Sequence, residues 1–364
     1  MKMKKYRCLK LIMIIGLSLL LISCSSSDDG SDGCDCKGDP ISDKEGGLVL
    51  SFEDQDEKAP ANVSLLFKVE TKDGIPITDL RSDHFKIYED DDEKPISDAE
   101  SKQAILPKPG KFKFHTLLLL DLSASVLESD SLKTLKEAAK KFADEIMPAP
   151  NSENFGEIDM GIWYFDGADG IHRLAEFDEE SDELISKIYS IDTKISNDPS
   201  TNLYGAIIKG IEKVEGMVGK RGNTITVGSV VVFTDGRDEA DRKTREEALQ
   251  TLYDTGKNVS VYTIGLGGDI DDETLAEFGR DGFVLADDIS ELVEKFEDIA
   301  ERILKDVNSY YLLEYCSPKR KGSHDLTISA EYYYDSEDKY LSGSLTTCFC
   351  ASGFRGGCEI PADD

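Results

Sequence analysis

The apolar positions of this chain fall into two kinds of pattern. In the middle they form short unbroken runs separated by helical spacing, and on either side of that region they form strand-like runs punctuated by turns. Residues 117–120 are four consecutive leucines, a run that predicts a strand buried on both faces, as in a parallel sheet covered by helices. Residues 228–233 repeat that form, and shorter strands are expected over 158–165, 259–264 and 282–285, with an edge strand over 171–177.

Helices are expected between these strands. Leu132, Leu135, Ala138, Ala139, Phe142, Ala143 and Ile146 share one helical face, as do Leu203, Ile207, Ile208, Ile211 and Val214. A polar helix is expected over 181–189. A last helix carries Ile289, Leu292, Val293, Phe296, Ile299, Ala300 and Ile303, with Asp288 as its expected N-cap. Such alternation predicts an α/β fold with a doubly wound, mostly parallel sheet over residues 113–306.

The flanks read differently. Residues 48–112 hold strand-like runs at 48–52, 63–70 and 85–88, and residues 307–350 hold others at 310–315, 326–334 and 340–349. The favoured reading pairs the two β-rich segments into one β-sandwich with the α/β domain inserted; the alternative is two separate pieces. Residues 351–364 read as a disordered tail.

The N-terminus is a targeting signal in pattern. Lys2, Lys4, Lys5, Arg7 and Lys10 precede an apolar core over 11–22 that is too short to span a bilayer comfortably. It ends Leu21-Ile22-Ser23-Cys24, which resembles the lipobox of bacterial lipoproteins. That resemblance implies cleavage after residue 23, lipidation of Cys24 and membrane attachment through the lipid. Ser25 and the acidic residues beyond it resemble signals for the outer membrane and for surface export. Residues 24–47, polar and rich in Gly and Asp, read as a flexible tether.

Charge narrows the partners. The chain has 73 acidic against 42 basic residues, a net −31, which argues against nucleic acid as a partner. Hydrophobic residues at 39% suffice for a sizeable core. Beyond Cys8 and Cys24, six cysteines remain at 34, 36, 316, 348, 350 and 358, an even number that suggests disulfides in an oxidising compartment. Cys316 and Cys348 are each expected at a strand end, and a bridge between them is the favoured pairing among fifteen possible connectivities.

The candidate chemistry lies at strand ends. The leucine run is followed by Asp121, Ser123 and Ser125 at two-residue spacing, and the second run by Asp235. In a doubly wound sheet the ligand site lies beyond the carboxyl ends of strands, where strand order reverses. Thr201 lies in a hydroxyl-bearing loop before a helix, with Ser200 as an alternative donor beside it. Two carboxylates with hydroxyls make an all-oxygen set suited to a hard divalent cation.

The order D-L-S-A-S, T-N-L, T-D-G resembles the metal-ion-dependent adhesion site of von Willebrand factor type A domains. The resemblance implies Mg2+ (or Mn2+ or Ca2+), with Ser123, Ser125 and Thr201 touching the ion and Asp121 and Asp235 acting largely through water. It also implies a protein partner that presents Asp or Glu to the ion. Specificity would lie in loops over 124–131, 166–172 and 237–242 and at Tyr204. The chain shows no H-E-x-x-H, G-x-S-x-G, Walker lysine motif or complete G-x-G-x-x-G, and its four histidines are scattered, so no enzyme is expected. A structural envelope protein whose metal mainly stabilises the fold is the alternative function.

Overall fold

The computed structural model describes residues 34, 36, 38–90, 93–96, 104–107, 112–129, 131–152, 154–221, 224–267, 272–335 and 338–357. Cys24 and the whole expected signal segment lie outside them.

A seven-stranded sheet forms the centre of the α/β part. Its main path runs β12 (Gly282–Ala286), β11 (Val259–Leu266), β10 (Thr224–Thr234), β6 (Phe112–Asp121), β7 (Ile158–Phe165), β8 (His172–Asp178), with β9 (Gly219–Arg221) paired to β10. All pairings on the main path are parallel except that of β8, which is the antiparallel edge. Leu117 to Leu120 are fully buried, two on each side of the sheet, because helices cover both faces.

One face carries α2 (Ser131–Ile146), α3 (Ser181–Ser190) and α7 (Leu292–Asn308); the other carries α4 (Leu203–Glu215), α5 (Arg245–Asp254) and α6 (Asp272–Phe278). A single turn, α1 (Ala124–Leu127), follows β6. The last helix begins at Leu292, not near Asp288. The Asp288 side chain instead closes a turn by accepting from Ser290 N at 2.7 Å, and Glu291 takes the cap position. Helix α5 escaped the periodicity reading because it buries only Ala248 and Leu252. Its start carries a legible signal, the reciprocal Thr244–Glu247 capping box.

The flanking β segments form two four-stranded sheets. One is ordered β1 (Ile41–Asp43), β15 (Lys339–Cys350), β14 (Ser323–Tyr334), β4 (Phe85–Glu89); the other is β2 (Leu48–Lys58), β3 (Asn62–Thr71), β13 (Tyr310–Cys316), β5 (Ala104–Pro107). Each sheet mixes strands from both sides of the α/β part, and they share one core containing Phe67, Tyr311 and Phe349. Pro107, which ends β5, pairs with Tyr311 at the start of β13, so the sandwich meets the α/β part at one end. There Phe112 packs on Tyr310, with ring centres 5.2 Å apart.

The expected tether is partly built into the sandwich. β1 pairs with β15, Cys34 bridges to Cys350, and Cys36 bridges to Cys348, with Cα separations of 5.6 and 5.5 Å. Cys316 is also disulfide-bonded but not to Cys348, which corrects the expected pairing. The physical reason is sheet membership: β13 and β15 lie in opposite sheets, whereas the N-terminal segment runs beside β15. The first residues of the expected tail are also ordered. Ala351 and Phe354 are buried in the sandwich core, and Arg355 N donates to Pro60 O at the β2–β3 turn. That turn lies at the end away from the α/β part, so the N-terminal segment meets the sandwich there.

Candidate metal centre

The sheet reverses strand order between β6 and β10. The crossover after β6 leads to β7 on one side, and the chain later returns to β10 on the other. Asp121 ends β6 and Asp235 follows the last residue of β10, so both carboxylates stand at this switch point.

Four of the five expected residues are joined by hydrogen bonds. Ser123 N donates to Asp121 Oδ1 at 3.0 Å, the Ser123 and Ser125 hydroxyls lie 3.1 Å apart, and Ser125 Oγ donates to Asp235 Oδ1 at 2.8 Å. The two-residue spacing accomplishes this because Ser123 is extended and N-caps α1, which turns Ser125 back over the strand end.

Thr201 is brought in by its main chain. Its carbonyl accepts from Glu239 N at 2.8 Å and Ala240 N at 3.0 Å, in the loop after Asp235, while Ala124 N donates to Pro199 O at 3.0 Å. The residue is 4% exposed. Ser200, the alternative donor, is committed elsewhere: its hydroxyl donates to Asp198 Oδ1 at 2.8 Å.

Two residues unassigned from sequence hold this arrangement. Thr234 Oγ1 donates to Asp121 Oδ2 at 2.7 Å, locking the carboxylate's second oxygen. It is the first residue of the T-D-G motif, so its position was visible though its role was not. Asn202, fully buried, N-caps α4 through Gly205 N and donates to Ala168 O at 2.8 Å. A Cβ on Gly205 would come within 2.4 Å of Asn202 Oδ1, so this close cap requires glycine.

Electrostatics favour a cation here. Burial first, and Asp235 second, push the Asp121 carboxyl up to about 7 against the lowering effect of its hydrogen bonds from Thr234 and Ser123. Asp121 is buried, Asp235 half-buried and Ser125 exposed, so the two carboxylates and the hydroxyls around them form a donor set of oxygens alone that is open to solvent on one side. Among the described residues no three His, Cys, Asp or Glu side chains converge as a metal-binding group. A cation here would therefore depend on hydroxyl oxygens as well as the carboxylates, and such a set fits Mg2+, Mn2+ or Ca2+ better than a thiolate- or imidazole-seeking ion.

Residues 116–237 match the family model of the von Willebrand factor type A domain. The chain carries a von Willebrand factor type A domain. The matched stretch runs from the buried strand β6 through the loop after Asp235, so it contains all five residues of the pocket. No curated protein matches the chain.

Solved structures resemble it at low identity. Proximal thread matrix protein 1 from the mussel byssus is 16% identical, with a TM-score of 0.43 over 53% of this chain and 48% of the mussel chain. The present chain thus spans about half of that protein. BatB from Bacteroides thetaiotaomicron is 17% identical with a TM-score of 0.42, over 54% of this chain and 100% of the other. The von Willebrand factor domain of Mfa5, a type V pili tip protein from Porphyromonas gingivalis, is 12% identical with a TM-score of 0.41, over 54% and 96%.

Proposed function

We propose that this protein is an exported, lipid-anchored binding protein whose type A domain recognises an acidic group on a protein partner through a divalent cation. Asp121, Ser123, Ser125, Thr201 and Asp235 would hold the ion, with Mg2+ favoured and Mn2+ or Ca2+ as alternatives. The observation that carries this reading is the hydrogen-bonded run from Asp121 through Ser123 and Ser125 to Asp235, closed on its far side by Thr234.

When bound, a divalent ion supplies an open coordination position that attracts a carboxylate. The chain's own residues set the rest. Asp121 and Asp235 provide the negative charge that retains a hydrated cation, and the neutral hydroxyls leave part of the ion's charge uncompensated towards the partner. The surrounding protein, at net −31, repels an acidic partner in the cation's absence, which makes recognition depend on the ion.

The architecture suits presentation outwards. The pocket lies at the carboxyl ends of strands that begin beside the sandwich, and the N-terminal segment is bridged to the sandwich at its other end. A lipid on Cys24 would therefore anchor the pole remote from the pocket, on a bacterial outer membrane by the character of residues 25–29. Among the described residues no helix is long and apolar enough to cross a membrane.

A mainly structural role for the cation has support in the same geometry, because relieving repulsion between Asp121 and Asp235 stabilises the fold whether or not a partner binds. Calorimetric titration of Mg2+ separates this pocket from the rest of the acidic surface. Stoichiometric binding that is lost in Asp121→Ala supports the proposal, and equal binding by that variant contradicts it.

A further inference from the structure

A second cavity lies at the opposite end of the α/β domain, where it meets the sandwich. It encloses about 770 Å³ and has no part in the metal pocket. Its floor and its rim differ in charge. On the floor, Lys68 is buried between Glu70, at 2.7 Å, and Asp306, and its ammonium group is used up by them. The exposed rim carries Lys257, Arg302 and Lys305, with Asp73 and Asp281 as its exposed carboxylates.

Glu53 stands between them, and its placement comes from a defect in strand pairing. β2 pairs Phe52 with Phe67 and then Asp54 with Leu66, so Glu53 is the extra residue of a β-bulge. Bulges re-aim side chains, and this one turns the carboxylate into the cavity. Among the described residues Glu53 makes no hydrogen bond or ion pair. Burial, opposed by Lys68 and Lys257, pushes its carboxyl up to about 7. A half-buried carboxylate at a cavity wall without a partner of its own is stabilised by an ammonium group that fills the space beside it.

The lining also includes the apolar surfaces of Ile75, Pro76 and the 86% exposed Tyr253. We propose that this cavity binds a small zwitterion with a hydrocarbon body, its ammonium end against Glu53 and its anionic end at Lys257, Arg302 and Lys305. Arg280 is less suited to the anionic end, because its guanidinium is occupied by Asp281 and by the Leu252 and Thr255 carbonyls. Among the described residues, by contrast, Arg302 makes one long bond to Phe283 O at 3.4 Å and Lys305 meets only the exposed Glu301 at 3.6 Å.

Calorimetry on the full chain with three probes of equal length tests the assignment: 6-aminohexanoate, hexylamine and hexanoate. The expected order of affinity is 6-aminohexanoate, then hexylamine, with hexanoate weakest. Glu53→Gln weakens 6-aminohexanoate about tenfold or more, the usual scale for a hydrogen bond to a charged group. Lys257→Met weakens 6-aminohexanoate but does not weaken hexylamine, and a thermal melt confirms that both variants fold. Absence of binding by every probe, hexanoate binding as tightly as 6-aminohexanoate, or unchanged affinity in Glu53→Gln overturns the proposal.

Discussion

Ser125 and Asp235, 110 residues apart in sequence, meet through a 2.8 Å hydrogen bond from hydroxyl to carboxylate. This contact ties the turn after β6 to the loop after β10 across the point where the sheet reverses. It makes the pocket a joint property of two strand ends, so a change at either end is felt at the other.

The first prediction follows from the two carboxylates. Asp121→Asn removes the buried charge of a like-charged pair, so without divalent ions the variant melts at a higher temperature than the wild type. Addition of Mg2+ then stabilises the wild type, by about 2.7 kcal/mol at a hundredfold excess over Kd, and leaves the variant unmoved. Differential scanning calorimetry with and without chelator reads both effects. A lower melting temperature for the metal-free variant contradicts the repulsion argument.

Thr234 gives a sharper test of positioning. Thr234→Val keeps the shape and removes the hydrogen bond to Asp121 Oδ2. The expected loss in Mg2+ affinity is about 10–100-fold, the range for groups that orient a metal-binding residue. Circular dichroism should be unchanged, because the sheet core around Val230, Val232 and Leu119 is untouched.

The junction between the domains rests on a buried ion pair. Lys68 of β3 reaches Asp306 near the end of α7 and Glu70, and lies 5.6 Å over the Tyr310 ring. Burial alone would depress the lysine's pKa, but Asp306 and Glu70 outweigh it and raise it above the usual value. Lys68→Met leaves two carboxylates without their cation and should destabilise the protein by about 3–5 kcal/mol in urea unfolding.

Glu53 predicts a pH dependence of defined sign. Its folded carboxyl titrates near 7 against an ordinary value of 4.5, so the folded state favours the protonated form. The stability linked to it is fully present below about 4.5 and is lost as pH rises through about 7. Glu53→Gln removes this loss. The stability difference between variant and wild type should therefore shift in favour of the variant between pH 5 and pH 8, and a constant difference contradicts it.

Much of this architecture was legible in the sequence for one physical reason. Runs buried on both faces, such as Leu117 to Leu120, have no polar alternation, and when short and bounded by turns they fit a covered parallel sheet. The candidate residues follow at the strand ends, where Asp121, Ser123, Ser125 and Asp235 come together in the fold. What escaped depends on pairing between distant segments. The cysteine bridges turn on which sheet β13 and β15 join, and the direction of Glu53 turns on a one-residue register shift. Helix α5 escaped because two apolar residues make too faint a stripe. Thr234 was visible, but its role appears only when β10 lies beside β6.

The central claim is that the cation makes the type A domain a receptor for carboxylates. A peptide array carrying glutamate-containing sequences, each paired with its glutamine counterpart, tests this most directly. It is probed with the wild type and Asp121→Ala, in Mg2+ and in chelator. The account predicts wild-type binding to glutamate peptides in Mg2+ only, with loss in chelator, in the variant and on the glutamine counterparts. Equal binding to both peptide sets, or glutamate binding that persists in chelator or in the folded Asp121→Ala variant, would contradict it.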